Sequence, residues 1–317
     1  VGHSPRSPVW ASSNRLYVCQ QFDNAVSVVD LTLDSVAGSI PVLREPFGAT
    51  LTSDGSKLLV ANLLPHQAST ADHSAASVSV IDTASGTVDQ HILLAPGSHS
   101  PRGVAISPDG HYAVVAHTLG RYRIPTTQIF RGWVNTSALS IIDLTSMTLA
   151  STVLLDDLDL GAANPWGMAF ASDGSVLSIA HAGTHELSAI DWPALLTKLA
   201  LNPGDHSVDL TFLVGLRRRI PLPGKGPRDV VMVGSNVYAA TYFSASVAVA
   251  DITPGQEYAA HEIAIGWKKP RDAVRQGQFY YYDARLSAQQ WQSCTSCHPG
   301  TRNDGLNWDL LNDGFGN

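Results

Sequence analysis

The chain has 317 residues, 44% of them apolar and only 15% charged, so we expect a folded core rather than a disordered or coiled-coil chain. The net charge is −7, and the basic residues are scattered apart from Arg217-Arg218-Arg219, which argues against the basic face of a nucleic-acid-binding protein. No apolar run approaches the roughly 20 residues of a membrane-spanning helix. Three cysteines are too few for a disulfide scaffold, and the start at Val1, without Met or a leader, indicates a processed or truncated N-terminus.

Short alternating segments that end in aspartate recur along most of the chain and predict β-strands. They are residues 26–30, 78–82, 139–143, 187–191 and 247–251, and the steps between their aspartates are 52, 61, 48 and 60 residues. A second predicted strand precedes each segment, at residues 16–19, 58–61, 113–116, 177–180 and 237–240. The tight turn before the second strand is explicit in three repeats, as Ser53-Asp54-Gly55, Pro108-Asp109-Gly110 and Ser172-Asp173-Gly174.

Each repeat opens with a proline and a large residue: Pro5-Arg6, Pro46-Phe47, Pro101-Arg102, Pro165-Trp166 and Pro227-Arg228. This period predicts an all-β fold, a β-propeller of four-stranded blades over residues 1–268 with five clear blades. A sixth unit opens at Pro270 and is then interrupted, so the closed blade number stays open. A solenoid is the alternative, although solenoid repeats are usually shorter.

In a propeller, the loops from strand four to strand one and from strand two to strand three emerge at the same end. We therefore expect one end of the channel to carry Arg6, Arg102, Trp166, Arg228, His117, His181 and nearby His185. The longest insertion, residues 118–137, leaves from the same end and contains Arg121, Tyr122, Arg123, Arg131, Trp133 and Asn135. The structural alternative is that the arginines cap strand carbonyls and the histidines pair with neighbouring loops.

The pattern changes near the C-terminus, where residues 272–290 predict a helix and a short loop before Cys294-Thr295-Ser296-Cys297-His298. Cys-x-x-Cys-His is the attachment motif of c-type haem: both thiols add to the porphyrin vinyl groups, and His298 becomes the proximal iron ligand. A zinc site would need further ligands, a thioredoxin-like pair would need a βαβ context, and a chance match is the remaining alternative. Cys19, inside a strand, is predicted to be an inert buried thiol.

The repeats resemble bacterial YVTN-type propellers. Residues 274–298 and 304–314 resemble the haem module fused to such propellers, which is related to dihaem cytochrome c peroxidases, and His117 with its loop and residues 180–187 are also similar to family segments. The resemblance implies secretion, covalent haem and a redox role. Residues 269–317 would then be a partial cytochrome c-like segment, since a complete domain has several more helices after the motif and commonly a distal ligand there.

The distal haem ligand therefore stays open between water, a residue outside this sequence, a partner chain and a propeller histidine. A peroxidase pocket needs an acid/base and a cation, which gives the catalytic candidates His117, His181, His185, Arg102 and Arg228. Trp291 and Trp308 are expected to pack on the porphyrin. An oxygen-rich run is a candidate for Ca²⁺, with surface solvation as the alternative: Asp304, Asn307, Asp309, Asn312 and Asp313.

Three functions remain open. The first is an extracytoplasmic c-type haem protein, in the periplasm or at the surface of a bacterium, for electron transfer or peroxide-linked oxidation with a redox partner or another subunit. The second is a non-catalytic binding or assembly module, metal- or surface-associated, with a vestigial haem segment. The third is a lactonase-like hydrolase, which would need carboxylates and a metal at the channel mouth, where the repeats carry arginines and aromatics instead.

Overall fold

The computed structural model describes residues 1–11, 14–124, 133–253, 258–267 and 270–309. In these residues, strands β1 to β20 form five four-stranded antiparallel sheets, in which each strand pairs with the next one along the chain. Helices are few and short. The prediction of five repeats of four strands is confirmed.

The sheets follow one another along the chain without exchanging strands. Sheet 1 contains β1 (Pro5–Ala11), β2 (Arg15–Gln20), β3 (Ala25–Asp30) and β4 (Ser35–Pro41). Sheet 2 contains β5 (Pro46–Leu51), β6 (Lys57–Asn62), β7 (Ser77–Asp82) and β8 (Thr87–Leu93). Sheet 3 contains β9 (Ser98–Ile106), β10 (Tyr112–Gly120), β11 (Asn135–Asp143) and β12 (Thr148–Leu154).

The last two sheets have the same plan. Sheet 4 contains β13 (Pro165–Phe170), β14 (Val176–His181), β15 (Glu186–Asp191) and β16 (Arg217–Pro221). Sheet 5 contains β17 (Pro227–Val233), β18 (Asn236–Thr241), β19 (Ser246–Asp251) and β20 (Ala260–Ala264).

In sheets 1, 2 and 3, the repeated aspartate closes the turn after the third strand. In sheet 2, the Asp82 carboxylate accepts the backbone N–H groups of Ala84 and Ser85, at 3.0 and 2.7 Å. Asp30 and Asp143 do the same in their own sheets. An aspartate that bonds the backbone two and three residues later favours a tight turn over strand continuation, which explains why each strand ends there.

The inner strands pack in series, β1 on β5, β5 on β9, β9 on β13 and β13 on β17. A separate buried apolar cluster fills each of the four interfaces between neighbouring sheets. Leu139 and Ile179, for example, meet between sheets 3 and 4, and both are fully buried. The described residues therefore form a propeller-like arc that is open between sheets 1 and 5, not the closed ring that a complete propeller would have.

Two regions differ from the sequence-based expectation. The predicted loop at 118–137 is partly strand, because Thr118, Leu119 and Gly120 pair with Ser137, Thr136 and Asn135 and lengthen the β10–β11 hairpin. Residues 125–132, including Arg131, lie outside the described residues. Strand alternation also gave no sign of helix α1 (Trp192–Leu201), which is inserted before β16 and starts where the Asp191 carboxylate caps the Ala194 N–H.

Residues 270–309, called the C-terminal segment below, contain helix α2 (Ala273–Tyr282), 3-10 turns and helix α3 (Cys294–Cys297). The predicted helix after residue 272 is thus α2, and the Asp272 carboxylate caps it by accepting the Arg275 N–H at 2.8 Å. Across the part of the chain that is described, none of the helices has the length and apolar composition needed to cross a bilayer.

Candidate functional site at one end of the sheets

The residue after each opening proline lies at the inner edge of its sheet. In each sheet the pairing of the first two strands shifts register at or beside this residue. Such β-bulges re-aim side chains, and here they direct five side chains into one central cleft. In sheet order these are Arg6, Phe47, Arg102, Trp166 and Arg228.

Cations and aromatic rings alternate along this series. The Arg102 guanidinium carbon lies 5.2 Å from the centre of the Phe47 ring and 4.1 Å from that of Trp166. Arg6 lies 4.5 Å from the Phe47 ring, and Arg228 lies 4.6 Å from the Trp166 ring. The arginines that the repeat predicted at this end of the channel are thus brought together, each on an aromatic face.

In three of the repeats, the residue after the opening proline is followed by glycine, because the innermost strands of neighbouring sheets approach closely. A Cβ on Gly48 would lie 2.7 Å from the Arg102 carbonyl oxygen, and one on Gly103 would lie 2.7 Å from the Trp166 carbonyl oxygen. Only glycine leaves room for this contact between neighbouring sheets. The glycines therefore set the width of the cleft.

His117 and His181 are fully buried in the second strands of their sheets. His117 Nε2 lies 2.9 Å from Ser140 Oγ, and His181 Nε2 lies 2.8 Å from Ser188 Oγ. Their Nδ1 atoms face the carbonyl oxygens of Thr118 and Ala162. Burial lowers the pKa of His117 to about 4 and that of His181 well below its ordinary value, so both rings are neutral at pH 7. Both rings are engaged inside their own sheets.

The C-terminal segment lies across this same end. Asn164, just before β13, donates to Ser293 Oγ at 2.8 Å and accepts from Ser296 Oγ at 2.9 Å. The backbone is equally close, since the Gly161 N–H donates to the Gln289 carbonyl at 2.8 Å. A Cβ on Gly161 would lie 2.5 Å from Trp291 Cα.

Two contacts that involve ionisable side chains also attach the C-terminal segment to the sheets. Arg302 forms a two-point ion pair with the buried Glu45, with Nη2 2.6 Å from Oε2. His185 Nε2 lies 3.3 Å from the buried Asp283 carboxylate, and its ring stacks on Phe279 with centroids 5.7 Å apart. Burial and the nearby Arg285 lower the pKa of His185 to about 4. Of the three candidate histidines, His185 is therefore the one in contact with the C-terminal segment.

The Cys-x-x-Cys-His motif forms a single helical turn, α3, that starts with a capping box in which Ser293 and Ser296 bond each other's backbone. Cys294 is exposed and Cys297 is half-buried, and both are free thiols. Asn135, at the end of the lengthened hairpin, donates to Cys297 Sγ at 3.1 Å. Burial raises the pKa of the Cys297 thiol to about 11.

His298 follows directly and has a fixed ring orientation. Its Nδ1 lies 2.7 Å from the Arg302 carbonyl oxygen. A carbonyl only accepts, so Nδ1 carries the proton and Nε2 keeps its lone pair in the neutral ring. The Tyr281 hydroxyl donates to the His298 carbonyl and ties the motif to α2.

An open groove of about 380 Å³, called the thiol groove, runs along the motif. Nine residues line it: Tyr280, Asp283, Leu286, Ser287, Gln292, Ser293, Cys294, Cys297 and His298. Neither Trp291 nor Trp308 belongs to this lining. Trp291 is buried behind the motif, and Trp308 packs over Gly120 while its indole N–H donates to Asp304 at 2.7 Å. Their contact with a porphyrin stays a prediction.

The oxygen-rich run is only partly described. Asp304 is buried and accepts the Leu306 N–H at 3.0 Å as well as the Trp308 indole. Asp309 is also buried, and Asn312 and Asp313 lie outside the described residues. Within the described ranges, no group of three His, Cys, Asp or Glu side chains is arranged to hold a metal ion. Calcium binding stays a prediction.

Three residues that the sequence analysis did not single out contribute to this site. Asn164 and Glu45 hold the C-terminal segment, and the fully buried His99 lies 3.5 Å from the Asn135 amide oxygen, behind Cys297. His99 lies near the start of a strand without a motif, whereas Glu45 and Asn164 left a signal, since they directly precede the opening prolines Pro46 and Pro165.

A larger cavity, about 590 Å³, lies at the opposite end of the sheets, between sheets 4 and 5. Its lining, which includes Val176, Leu216 and Ile252, is mainly apolar, and Arg218 lies at its edge. None of the candidate residues of the sequence analysis reaches it. The chemistry-bearing side chains are therefore concentrated at the end covered by the C-terminal segment.

Comparison with known proteins places this geometry in context. No family model matches the chain. Over 234 residues, 71% of this chain, the sequence is 31% identical to the hydrazine synthase subunit beta of Kuenenia stuttgartiensis. The chain spans 58% of that relative's length. A solved structure of Kuenenia stuttgartiensis hydrazine synthase superposes with a TM-score of 0.52 at 24% identity, over 83% of this chain and 84% of that chain. The chain therefore shares its fold with that structure, and its sequence is similar to that of a hydrazine synthase beta subunit.

Proposed function

We propose that this chain carries a covalent c-type haem on Cys294 and Cys297, with His298 as the proximal iron ligand, and that it serves electron transfer as one subunit of an extracytoplasmic redox assembly. The observation that carries the proposal is the tautomer of His298. Its Nδ1–H is held by the Arg302 carbonyl at 2.7 Å, which leaves Nε2 available to a metal.

The residues present fit a haem. Two free thiols on one helical turn are followed by an imidazole, and all three line one open groove. The groove also carries Leu286 and Tyr280, which supply apolar and aromatic surface for a porphyrin. When bound, a c-type haem supplies one-electron redox chemistry.

The protein's own residues would hold this centre in place. The Arg302 carbonyl orients the imidazole, Tyr281 fixes the backbone of the motif, and Asn135 holds the Cys297 sulfur. Such outer contacts tune the basicity and position of a metal ligand. They come from both the C-terminal segment and sheet 3, so the five sheets act as the scaffold of the site.

The subunit role and the location rest on two supports. The similar protein of Kuenenia stuttgartiensis is named as a subunit of hydrazine synthase, which supports an assembly with other chains. Covalent attachment through free thiols suits an oxidising compartment, and we therefore place the chain in the periplasm or at the outer surface of a bacterium.

The test is a pyridine haemochrome spectrum of the purified chain, produced with a bacterial c-type haem maturation system. We expect a thioether-type haem band that survives acid–acetone extraction, and a protein mass increased by one haem. Cys294→Ser/Cys297→Ser should abolish both signals. Cys19→Ser is the matched control, since Cys19 is buried in β2 outside the motif, and it should leave both unchanged.

His298→Ala separates attachment from ligation. It should retain the covalent haem but change its spin state, because only the iron ligand is removed. A chain with the mass of the bare polypeptide, or with Cys294 bridged to Cys297, would end the haem proposal. A monomeric chain in material isolated from the native host would end the subunit part alone.

A second candidate is peroxide-linked oxidation, favoured by one contact at the wall of the thiol groove. Asp283 lines the groove and pairs with His185, whose ring is neutral at pH 7. The Gly226 N–H donates to His185 Nδ1 at 3.0 Å, so Nε2 carries the ring proton and directs it toward the Asp283 carboxylate. Peroxide consumption that falls at least tenfold in Asp283→Asn, with the haemochrome spectrum unchanged, would favour this candidate over simple electron transfer.

A further inference from the structure

The central cleft contains three arginines in an environment with little negative charge. Its lining includes Arg6, Arg102 and Arg228, and the cleft has a volume of about 520 Å³. Asp229 is the one acidic residue among the described residues of that lining. It accepts the Val230 N–H at 3.0 Å, and burial raises its pKa, so a single carboxyl group faces three guanidiniums.

Arg102 is the most deeply buried of the three. Its exposed fraction is 8%, and in the described part of the chain its guanidinium contacts the Phe47 and Trp166 rings but no carboxylate. Burial, with repulsion from Arg228 and Arg6, lowers its pKa to about 10, so the group is still charged at pH 7. A buried cation without a counter-charge is unstable unless a ligand supplies one.

Arg228 has unused donors in the same cleft. Its Nε and Nη2 are buried and have no hydrogen-bond partner within the described ranges. Its guanidinium lies between Trp166, Tyr242 and Tyr282, with its central carbon 3.5 Å from the centre of the Tyr242 ring and 4.9 Å from that of Tyr282. Each of these guanidiniums thus lies over the faces of aromatic rings. In-plane N–H donors on planar groups of this kind match the oxygens of a carboxylate or phosphate.

The acidic side chain beside Arg6 is already paired with other groups. Glu45, the carboxylate nearest Arg6, is held by Arg302 of the C-terminal segment and by the Gln21 amide at 2.9 Å. Tyr282 of α2 covers the cleft from the side of the thiol groove, with its ring 6.2 Å from that of Trp166. The uncompensated charge thus lies directly beneath the C-terminal segment.

We propose that the central cleft binds one oxyanion group, held in common by Arg102 and Arg228. Two sources share this chemistry: a free oxyanion such as phosphate, or a carboxylate of the porphyrin itself. Only the second source rests on the proposed haem. The alternating rings hold the guanidiniums in place before binding, so the ligand meets donors that are already oriented.

The test is calorimetric titration of the full chain with inorganic phosphate, with sodium chloride adjusted to constant ionic strength so that general screening is equal. The same titration is run on Cys294→Ser/Cys297→Ser. We expect saturable binding of one phosphate per chain in at least one of the two proteins. Arg102→Gln should weaken it at least tenfold, because a charge-assisted contact in a buried site is lost.

Arg228→Lys is the second variant, in case Arg102→Gln does not fold. It keeps the charge but loses the planar fork, and we expect a loss of about threefold to tenfold. Arg218→Gln is the matched control. Arg218 also stacks on an aromatic ring, 4.5 Å from the centre of Tyr258, but it lies at the opposite end of the sheets, and its loss should leave phosphate binding unchanged.

Each outcome has one meaning. Binding to both proteins supports the site and identifies a free oxyanion, whereas binding only after removal of the thiols supports the site and identifies the porphyrin carboxylate. The proposal is overturned if neither protein binds phosphate saturably, or if Arg102→Gln and Arg228→Lys bind as the unmodified chain does. Phosphate binding to Cys294→Ser/Cys297→Ser, which lacks both attachment thiols, tests the cleft without haem, so this proposal and the haem proposal can fail separately.

Discussion

The five sheets and the C-terminal segment are stabilised in different ways. The sheets repeat one pattern and bury continuous apolar clusters between them, in which residues such as Leu59 and Leu139 are fully buried. The C-terminal segment has short helices and is attached largely by individual polar contacts, through Asn164, Glu45 and His185. We therefore expect the C-terminal segment to have a lower local stability than the sheets, as is usual where a site must admit a cofactor or a partner.

The strongest test of this difference is a cavity in the scaffold. Leu139→Ala should lower the free energy of unfolding by about 2–5 kcal/mol, because Leu139 is fully buried between sheets 3 and 4. Urea unfolding followed by far-UV circular dichroism measures the change. Leu33→Ala is the control, since Leu33 is 72% exposed, and a loss no larger than that of the control would show that the interface is not a rigid core.

Lowering the pH should destabilise both the sheets and the C-terminal segment. Protonation of His185 is the step that acts on the C-terminal segment. The folded pKa of His185 is lowered from 6.5 to about 4, so the unfolded state takes up the proton first, and stability falls as the pH decreases from 6.5 to 4. The full effect is at most about 3 kcal/mol. Asp283 has a lowered pKa, so its contribution is lost only at still lower pH.

Amide exchange of residues 270–309, corrected for its intrinsic pH dependence, measures this effect. His185→Gln should flatten the loss of protection between pH 6.5 and 4, whereas His111→Gln, at an exposed turn, should follow the unmodified chain. The buried His117 and His181 act in the same direction within the sheets. Unchanged protection across this range in the unmodified chain would contradict the assignment.

A smaller effect is expected from the ion pair that crosses between the regions. Arg302→Ala leaves the buried Glu45 with only the Gln21 amide, and it should destabilise docking of the C-terminal segment by about 2 kcal/mol. Limited proteolysis should then cut the segment before the sheets unfold. Lys57→Ala removes two partly exposed ion pairs on sheet 2, with Asp82 and Asp89, and is expected to change the cleavage rate little, so equal effects would contradict a special role for Glu45.

The smallest effect concerns Asn164, whose φ of 57° favours glycine or asparagine. Asn164→Gly keeps this backbone conformation but removes both side-chain bonds to the motif, and it should weaken docking by about 1–2 kcal/mol. Asn14→Gly, with a φ of 54° in sheet 1, is the control. Amide hydrogen exchange of residues 270–309, measured as the temperature rises, distinguishes the two variants. Equal protection of these amides in both would contradict an anchoring role for Asn164.

The sequence predicted the sheets well because their specification is local. Alternation, the closing aspartates and the opening prolines act within a few residues, so each strand follows from its own neighbourhood. The convergence of Arg6, Arg102 and Arg228 was also predictable, because the period places equivalent residues at equivalent positions. Helix α1 was missed although Asp191 is a local cap signal, because that aspartate was assigned to the strand repeat. The extension of β10 and β11 was missed because Gly120, at its end, packs against Trp308 and Leu306, which are distant in sequence.

The site was predictable only as a motif. Cys294, Cys297 and His298 are adjacent in sequence, whereas the partners that hold them are distant: Asn135 lies more than 150 residues from Cys297, and Glu45 more than 250 from Arg302. Glu45 and Asn164 share one repeat position, directly before an opening proline, but the period does not indicate which distant residues they contact. Tertiary contacts of this kind cannot be read from one sequence.

The path of the C-terminal segment has a mechanical consequence for an arc that is open between sheets 1 and 5. Its contacts reach Glu45 before sheet 2, Asn135 in sheet 3, Asn164 before sheet 4 and Tyr242 after β18 in sheet 5. The C-terminal segment therefore links several sheets of the open arc to one another. The sheets cannot separate without breaking these contacts. A force that moves sheet 1 or sheet 5 outward is therefore transmitted to α3, the turn that contains Cys294 and Cys297.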